Sequence, residues 1–293
     1  MRAYEHINPA VLTTHFFTVL LIVMFTFHPV IELIALTGGI LFCVVINRKY
    51  SLKTNLKYYI LIFIFVTITN PLFSSNGETV LLSIGFFNVT LESLLYGAGL
   101  ATTIITVMLW CQLYSFIMAS EKTAYLFRGA APKLSLVLSM SLRYIPLIKR
   151  QWETVFRTQK SMGMYSSENR IAKLRSLLRC FSILIGWSLE NATETVRSMK
   201  ARGFGCKKRT SYSDFHFRSS DIVLLTVYIL LFAVTVFSSF SGLYDFAYYP
   251  KISGFNTTSS AIFSYAFFGI LVLMPFFIEL EETVRWNYCK LKI

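Results

Sequence analysis

The residues best suited to chemistry in this sequence lie in Ser198-Met199-Lys200-Ala201-Arg202-Gly203-Phe204-Gly205, at the end of an amphipathic stretch. Arg202 carries a planar guanidinium whose donors form a fork matched to carboxylates and carbonyls. Ala201 leaves room for close approach, and Gly203 can take the left-handed conformation that closes a helix. Arg202 and Lys200 also put cations at the negative end of the helix dipole. An ordinary helix C-cap has the same ingredients. The sharper reading is a helix tip built to insert into a partner.

Other reactive residue types do not converge. Glu32 falls inside an apolar run, where an ionisable group is a functional candidate by default, yet its place just after His28-Pro29 favours an interfacial carboxylate. Glu190 and Glu194 have i, i+4 spacing on an arginine-rich helix and are expected to be ion-paired. His6, His15, His28 and His216 share no helical face or ligand spacing, so no metal site is expected. Cys43, Cys111, Cys180, Cys206 and Cys289 form no CxxC pair, which leaves no basis for a disulfide framework or a zinc site. No GxxxxGK(S/T) sequence occurs, so any ATP is hydrolysed elsewhere, and no cofactor is implied. Gly38-Gly39 and Gly97-Ala98-Gly99 suit close helix packing rather than a ligand.

The elements that must position the tip are set by composition. Of 293 residues, 55% are hydrophobic and 15% charged, too apolar for a soluble domain of this length. The formal charge of +13 does not point to nucleic acid, because the basic residues lie between long apolar runs and not on one face of a soluble fold. Six stretches suit helical crossing of the bilayer: about 11–27, 30–47, 57–73, 93–118, 222–240 and 259–279. The first lacks a small-residue cleavage site and is expected to be an uncleaved span. With no period-2 pattern in competition, the expected fold is an all-α integral membrane protein with about six transmembrane helices. The expected organisation is spans one to four in 1–118, a soluble segment in 119–221, and spans five and six with a tail in 222–293.

Charge orients these spans. Residues 119–221 hold 19 of the 28 basic residues against seven acidic ones, a net of +12, and Arg48, Lys49, Lys53 and Lys57 follow the second span. The loop from Ser74 to Glu92 has no Lys or Arg, and that from Ser241 to Thr258 is nearly neutral. The positive-inside rule therefore places both termini and the long segment in the cytoplasm. Within that segment, Leu134, Val137, Leu138, Ser141, Ile145 and Ile148, then Ile171, Leu174, Leu178, Phe181 and Ile185, recur mostly at spacings of three and four. They predict two amphipathic helices, each about 45 Å long. Pro146 is expected to kink the first, and Ser167 to cap the second.

Three runs in this segment carry a family resemblance. They are Ser139-Met140-Ser141-Leu142-Arg143-Tyr144-Ile145-Pro146, Gln159-Lys160-Ser161-Met162-Gly163, and Glu194 through Gly203 with its Ala-Arg-Gly triplet. Asn70-Pro71-Leu72-Phe73, Thr90 through Gly97, and Ala119-Ser120-Glu121-Lys122 support them upstream. This ordered set resembles the transmembrane T component of energy-coupling factor (ECF) transporters, the EcfT/CbiQ family, over about residues 10 to 280.

The resemblance implies a non-catalytic coupling and scaffold subunit of an ABC-type importer in the cell membrane. Its partners would be two cytoplasmic ATPase subunits and a small membrane S component that binds a vitamin or metal ion. Two coupling helices would each end in a short motif seated in a groove of one ATPase. Ala201, Arg202 and Gly203 match the second motif. Ser161, Met162 and Gly163 stand at the first, which lacks the arginine, with Lys160 or Arg157 beside it. The rival classes are a self-contained channel or secondary transporter, which would need paired polar residues or broken helices near the midplane, and an integral membrane enzyme, which would need a convergent His, Asp or Cys set.

The orientation has a direct check. Single cysteines at Ser166 and Tyr212 should resist a membrane-impermeant thiol reagent in intact cells, and one at Asn76 should react. The reverse pattern would overturn the cytoplasmic assignment and the function built on it.

Overall fold

The computed structural model describes residues 7–46, 52–73, 78–84, 87–118, 120–163, 170–206, 217–250, 254 and 258–291. Among them run α1 (Pro9–Phe25), α2 (Pro29–Ile46), α3 (Leu52–Phe73), α4 (Leu91–Ile117), α5 (Ser120–Ala130), α6 (Pro132–Ser161), α7 (Arg170–Ala201), α8 (Ser219–Phe240) and α9 (Ser259–Leu291). Two short strands, β1 (Val80–Ile84) and β2 (Phe87–Thr90), precede α4. The chain divides into two compact units, 1–119 with 215–293, and 120–214.

The first unit is the membrane body. Five helical segments are long and apolar enough to cross a bilayer: Pro29–Ile46, Leu56–Phe73, Leu91–Ile117, Ser219–Phe240 and Ser259–Trp286. The sixth apolar helix, α1, has 17 residues and so reaches only about 25 Å at 1.5 Å per residue. It begins at Pro9, where Asn8 Oδ1 accepts the Ala10 N–H at 3.0 Å. Its short length goes with a central position, since Val11, Leu12, Phe16 and Val19 are all buried. The fold is thus the expected all-α, multi-pass membrane protein.

Two kinds of contact hold this body together. The aromatic residues His15, Phe16, Phe42, Trp110 and Tyr228 cluster between α1, α2, α4 and α8, with the His15 and Tyr228 rings 4.8 Å apart. The Trp110 indole N–H donates to the Ala35 carbonyl at 3.0 Å, which satisfies a polar group where no water is available. Glycines supply the second kind. A Cβ on Gly39 would fall against Leu109 and 3.1 Å from the Trp110 indole nitrogen, and one on Gly38 would collide with Val272 of α9. Gly97 lets α4 approach the Thr67 carbonyl of α3 at a similar spacing. With no hydrophobic force between helices in lipid, such close approach is what binds them. By contrast, α3 turns Ile60, Leu61, Phe65 and Ile68 outward, as a lipid-facing surface requires.

Several details depart from expectation. The loop before α4 contains the antiparallel β1–β2 hairpin, with Ile84 opposite Phe87. It is tied to α4 by Thr79, whose hydroxyl donates to Glu92 Oε1 at 2.8 Å, and by Thr90, whose Oγ1 accepts the Ser93 N–H. Strands of five and four residues are too short to set up a readable period-2 pattern. Glu32, expected near the membrane interface, is 1% exposed within the protein, with Gly99 of α4 and Tyr248 from the segment after α8 beside it. In the second unit α5 precedes the first amphipathic helix, a further element that the periodicity did not predict, while Pro146, the expected site of a kink, lies inside the 30-residue α6. A lone proline deletes one hydrogen bond without ending a helix of that length. Ser167 lies outside the described residues.

Gly39→Val should destabilise the membrane body by about 1–3 kcal/mol, because the added methyls have only Leu109 and Trp110 to displace. A lowered unfolding temperature in detergent would show it. The same change at Gly186, where a Cβ meets nothing within 4 Å, should cost far less.

Candidate docking surface

The second unit consists of α5, α6 and α7. α5 and α6 join through Ala131, and the Ser135 hydroxyl donates to the Ala124 carbonyl at 2.8 Å across the bend. α6 and α7 are linked by a hydrogen bond between the hydroxyls of Tyr144 and Thr195 at 2.8 Å. The two helices therefore pack along Met140–Leu147 on one side and Asn191–Arg202 on the other.

The end of α7 is closed by its own backbone. Gly203 has φ +83°, its N–H donates to the Lys200 carbonyl at 3.0 Å, and the Phe204 N–H donates to the Met199 carbonyl at 2.9 Å. That pair of bonds is a Schellman closure, which uses up final carbonyls that would otherwise need side chains or water. The requirement at Gly203 is conformational, since a Cβ there meets nothing nearer than Cys206 Sγ at 3.8 Å. Any other residue would hold the left-handed conformation at a cost of about 1–2 kcal/mol. Ala201, Arg202 and Lys200 are exposed around this closed end.

The end of α6 shares two of these features. Gly163 has φ +78°, and its N–H donates to the Lys160 carbonyl at 3.0 Å, the counterpart of the Gly203 to Lys200 bond. Around Gly163 the side chains are open, and Met162 is 67% exposed. Ser161, Met162 and Gly163 thus occupy, in order, the backbone positions of Ala201, Arg202 and Gly203. The difference between the two ends is chemical: a methionine presents an adaptable apolar surface where the other end presents a fork of donors.

The sequence-predicted residues fall into two groups. Lys160, Ser161, Met162 and Gly163 form one helix end, and Lys200, Ala201, Arg202 and Gly203 form the other. Met162 lies 18 residues past Tyr144, about 27 Å along the axis, whereas Arg202 lies seven residues past Thr195, about 10 Å. The arms leading from the joint to the two tips are therefore unequal. Glu190 and Glu194 are not ion-paired as expected: among the described residues, neither has a cation within 4 Å. Glu194 instead faces a cleft beside Tyr144 and Thr195. That joint was not legible beforehand, because Tyr144 and Thr195 are 51 residues apart and neither type signals its partner.

The family model CbiQ, described as cobalt transport protein, matches residues 5–212, which includes both helix ends. The chain belongs to the CbiQ family. Curated relatives agree. The CbiQ chain is 27% identical over 253 residues to the energy-coupling factor transporter transmembrane protein EcfT of Bacillus selenitireducens, covering 81% of the chain and 93% of that relative. It is 23% identical over 245 residues to EcfT 1 of Listeria monocytogenes, covering 80% and 87%. It is 28% identical over 193 residues to EcfT of Streptococcus thermophilus, covering 60% and 73%. The resemblance drawn from the motif runs is thereby established, and with it a membrane protein of a transport family.

Proposed function

We propose that this CbiQ-family chain is the non-catalytic transmembrane component of an ECF-type importer. It takes up the motion of two cytoplasmic ATPase subunits and passes it to a small membrane protein that binds a vitamin or metal ion. The observation that carries this reading is the pair of matched helix ends, each closed by a left-handed glycine on a helix of 30 or 32 residues. Two equivalent tips in one chain suit two equivalent grooves, one on each ATPase. The names of the curated relatives support the transporter class.

The mechanism follows from stiffness. A helix end whose carbonyls are already bonded has no backbone need of its partner, so its side chains and dipole are free to make the contact. When ATP draws the two ATPases together, the tips are displaced with them. Each helix then acts as a lever, with the Tyr144–Thr195 joint as the point through which the two displacements combine. Residues 119–221 are cytoplasmic in this reading, with both termini on the same side, spans one to four before the levers and spans five and six after them. ATP hydrolysis belongs wholly to the partner subunits.

The two tips contribute unequally. Arg202 offers charge-assisted hydrogen bonds to acidic groups or carbonyls of its groove, and Lys200 adds attraction on approach. Met162, with Lys160 beside it, packs instead of pairing.

Arg202→Ala should weaken ATPase binding by about 2–5 kcal/mol, the usual cost of truncating one member of a desolvated charged contact, and should lower uptake with membrane insertion unchanged. Arg202→Lys should recover part of the loss, because a point charge cannot reproduce the fork. Lys207→Ala, on the same basic stretch, should have little effect. Met162→Arg should leave assembly intact or tighten it. Quantitative co-purification of the ATPases with each variant is the measurement. Equal behaviour of Arg202→Ala and Lys207→Ala would reduce the effect to general basicity and defeat the tip reading.

A further inference from the structure

Arg202 does not stand alone at the end of its lever. Asn191, Glu194, Thr195, Ser198 and Arg202 follow one face of α7 at spacings of three and four, and Met140, Arg143, Tyr144 and Leu147 follow one face of α6. The two faces enclose a cleft of about 400 Å³ beside the Tyr144–Thr195 hydrogen bond. A second arginine, Arg143, therefore lines the same cleft as Arg202, although 59 positions separate them in sequence.

The charges in this cleft do not cancel. Two arginines line it against one acidic residue, Glu194, and among the described residues no ion pair joins Glu194 to either arginine. Both forks are exposed and keep donors to spare. The remaining walls mix hydroxyl and amide groups with Met140, Leu147 and Met199, a lining that accepts an acidic side chain carried on a partly apolar segment. Arg202 belongs both to the lining of this cleft and to the closed end of α7.

We propose that Arg143 is a second docking cation, and that the ATPase seated on the α7 tip inserts an acidic side chain into the cleft between Arg143 and Arg202. This rests on the docking function proposed above and deepens it. One guanidinium grips the incoming carboxylate with two parallel N–H bonds, and the other adds a single bond to the same oxygens. Glu194 faces the same space and repels the incoming anion. It thereby limits affinity. The second tip is accordingly a two-helix site, and any movement of α6 against α7 alters the grip on the ATPase.

The test uses the full-length chain in nanodiscs and the two ATPase subunits co-expressed from the same genome, with dissociation constants measured over a range of salt. Arg143→Met keeps the apolar stem and removes the charge. It should weaken ATPase binding by about tenfold or more and flatten its salt dependence, with the unfolding temperature of the membrane subunit unchanged. Glu194→Gln should tighten binding. Arg143→Lys should fall between wild type and Arg143→Met, and gives the same reading should the methionine variant accumulate poorly. Wild-type binding by Arg143→Met alongside a clear loss in Arg202→Ala would overturn the cleft and leave the tip function standing. Loss of binding in Glu194→Gln would also overturn it, by making Glu194 an internal partner of the arginines. Wild-type binding by both Arg143→Met and Arg202→Ala would instead remove the docking function itself.

Discussion

A helix that presents its last residue to a partner must first satisfy its final carbonyls, and at the ends of α6 and α7 this is done by glycines at φ +78° and +83°. The Gly203 to Lys200 and Phe204 to Met199 bonds leave the end of α7 needing no side-chain cap. Arg202 is then not recruited to its own helix and can face outward. At Gly163 the bond to the Lys160 carbonyl matches one of these two, and Met162 is exposed beside it. Were either position occupied by a residue with a Cβ, about 1–2 kcal/mol of backbone strain would fall on the surface that has to stay in one shape. The proposed levers depend on this local rule more than on any contact within the second unit.

The membrane body solves a different problem with the same residue. Between its helices no water is displaced, so cohesion comes from packing distance. Gly38 and Gly39 let α2 lie against Val272 of α9 and against Leu109 and Trp110 of α4, and the buried indole finds its acceptor in the Ala35 carbonyl. Glycine is thus used for space in the bilayer and for conformation at the tips. The contrast is visible in the surroundings: a Cβ on Gly39 collides, whereas one on Gly163 meets nothing within 4 Å.

What the sequence disclosed follows from the range of the forces involved. The spans were legible because twenty apolar residues in a row have few soluble uses, and Gly203 was legible because a left-handed closure is decided within one turn. The burial of Glu32 was not, since Tyr248, which helps to cover it, lies more than 200 positions away. The β1–β2 hairpin escaped because its strands are too brief for periodicity, and the arginines of its own helix suggest an ion pair for Glu194, although its neighbours across the cleft come from α6. Arg143 stood in plain view within a motif run, but only the Tyr144–Thr195 joint brings it to the same cleft as Arg202.

The central claim is that the chain works as a lever between separate subunits and not as a transporter by itself. The most direct measurement is native mass spectrometry of the full-length chain purified in mild detergent from its own cells. The account predicts one copy of this chain bound to two ATPase subunits and one small membrane protein. The chain alone, catalysing uptake in liposomes without any ATPase present, would contradict it.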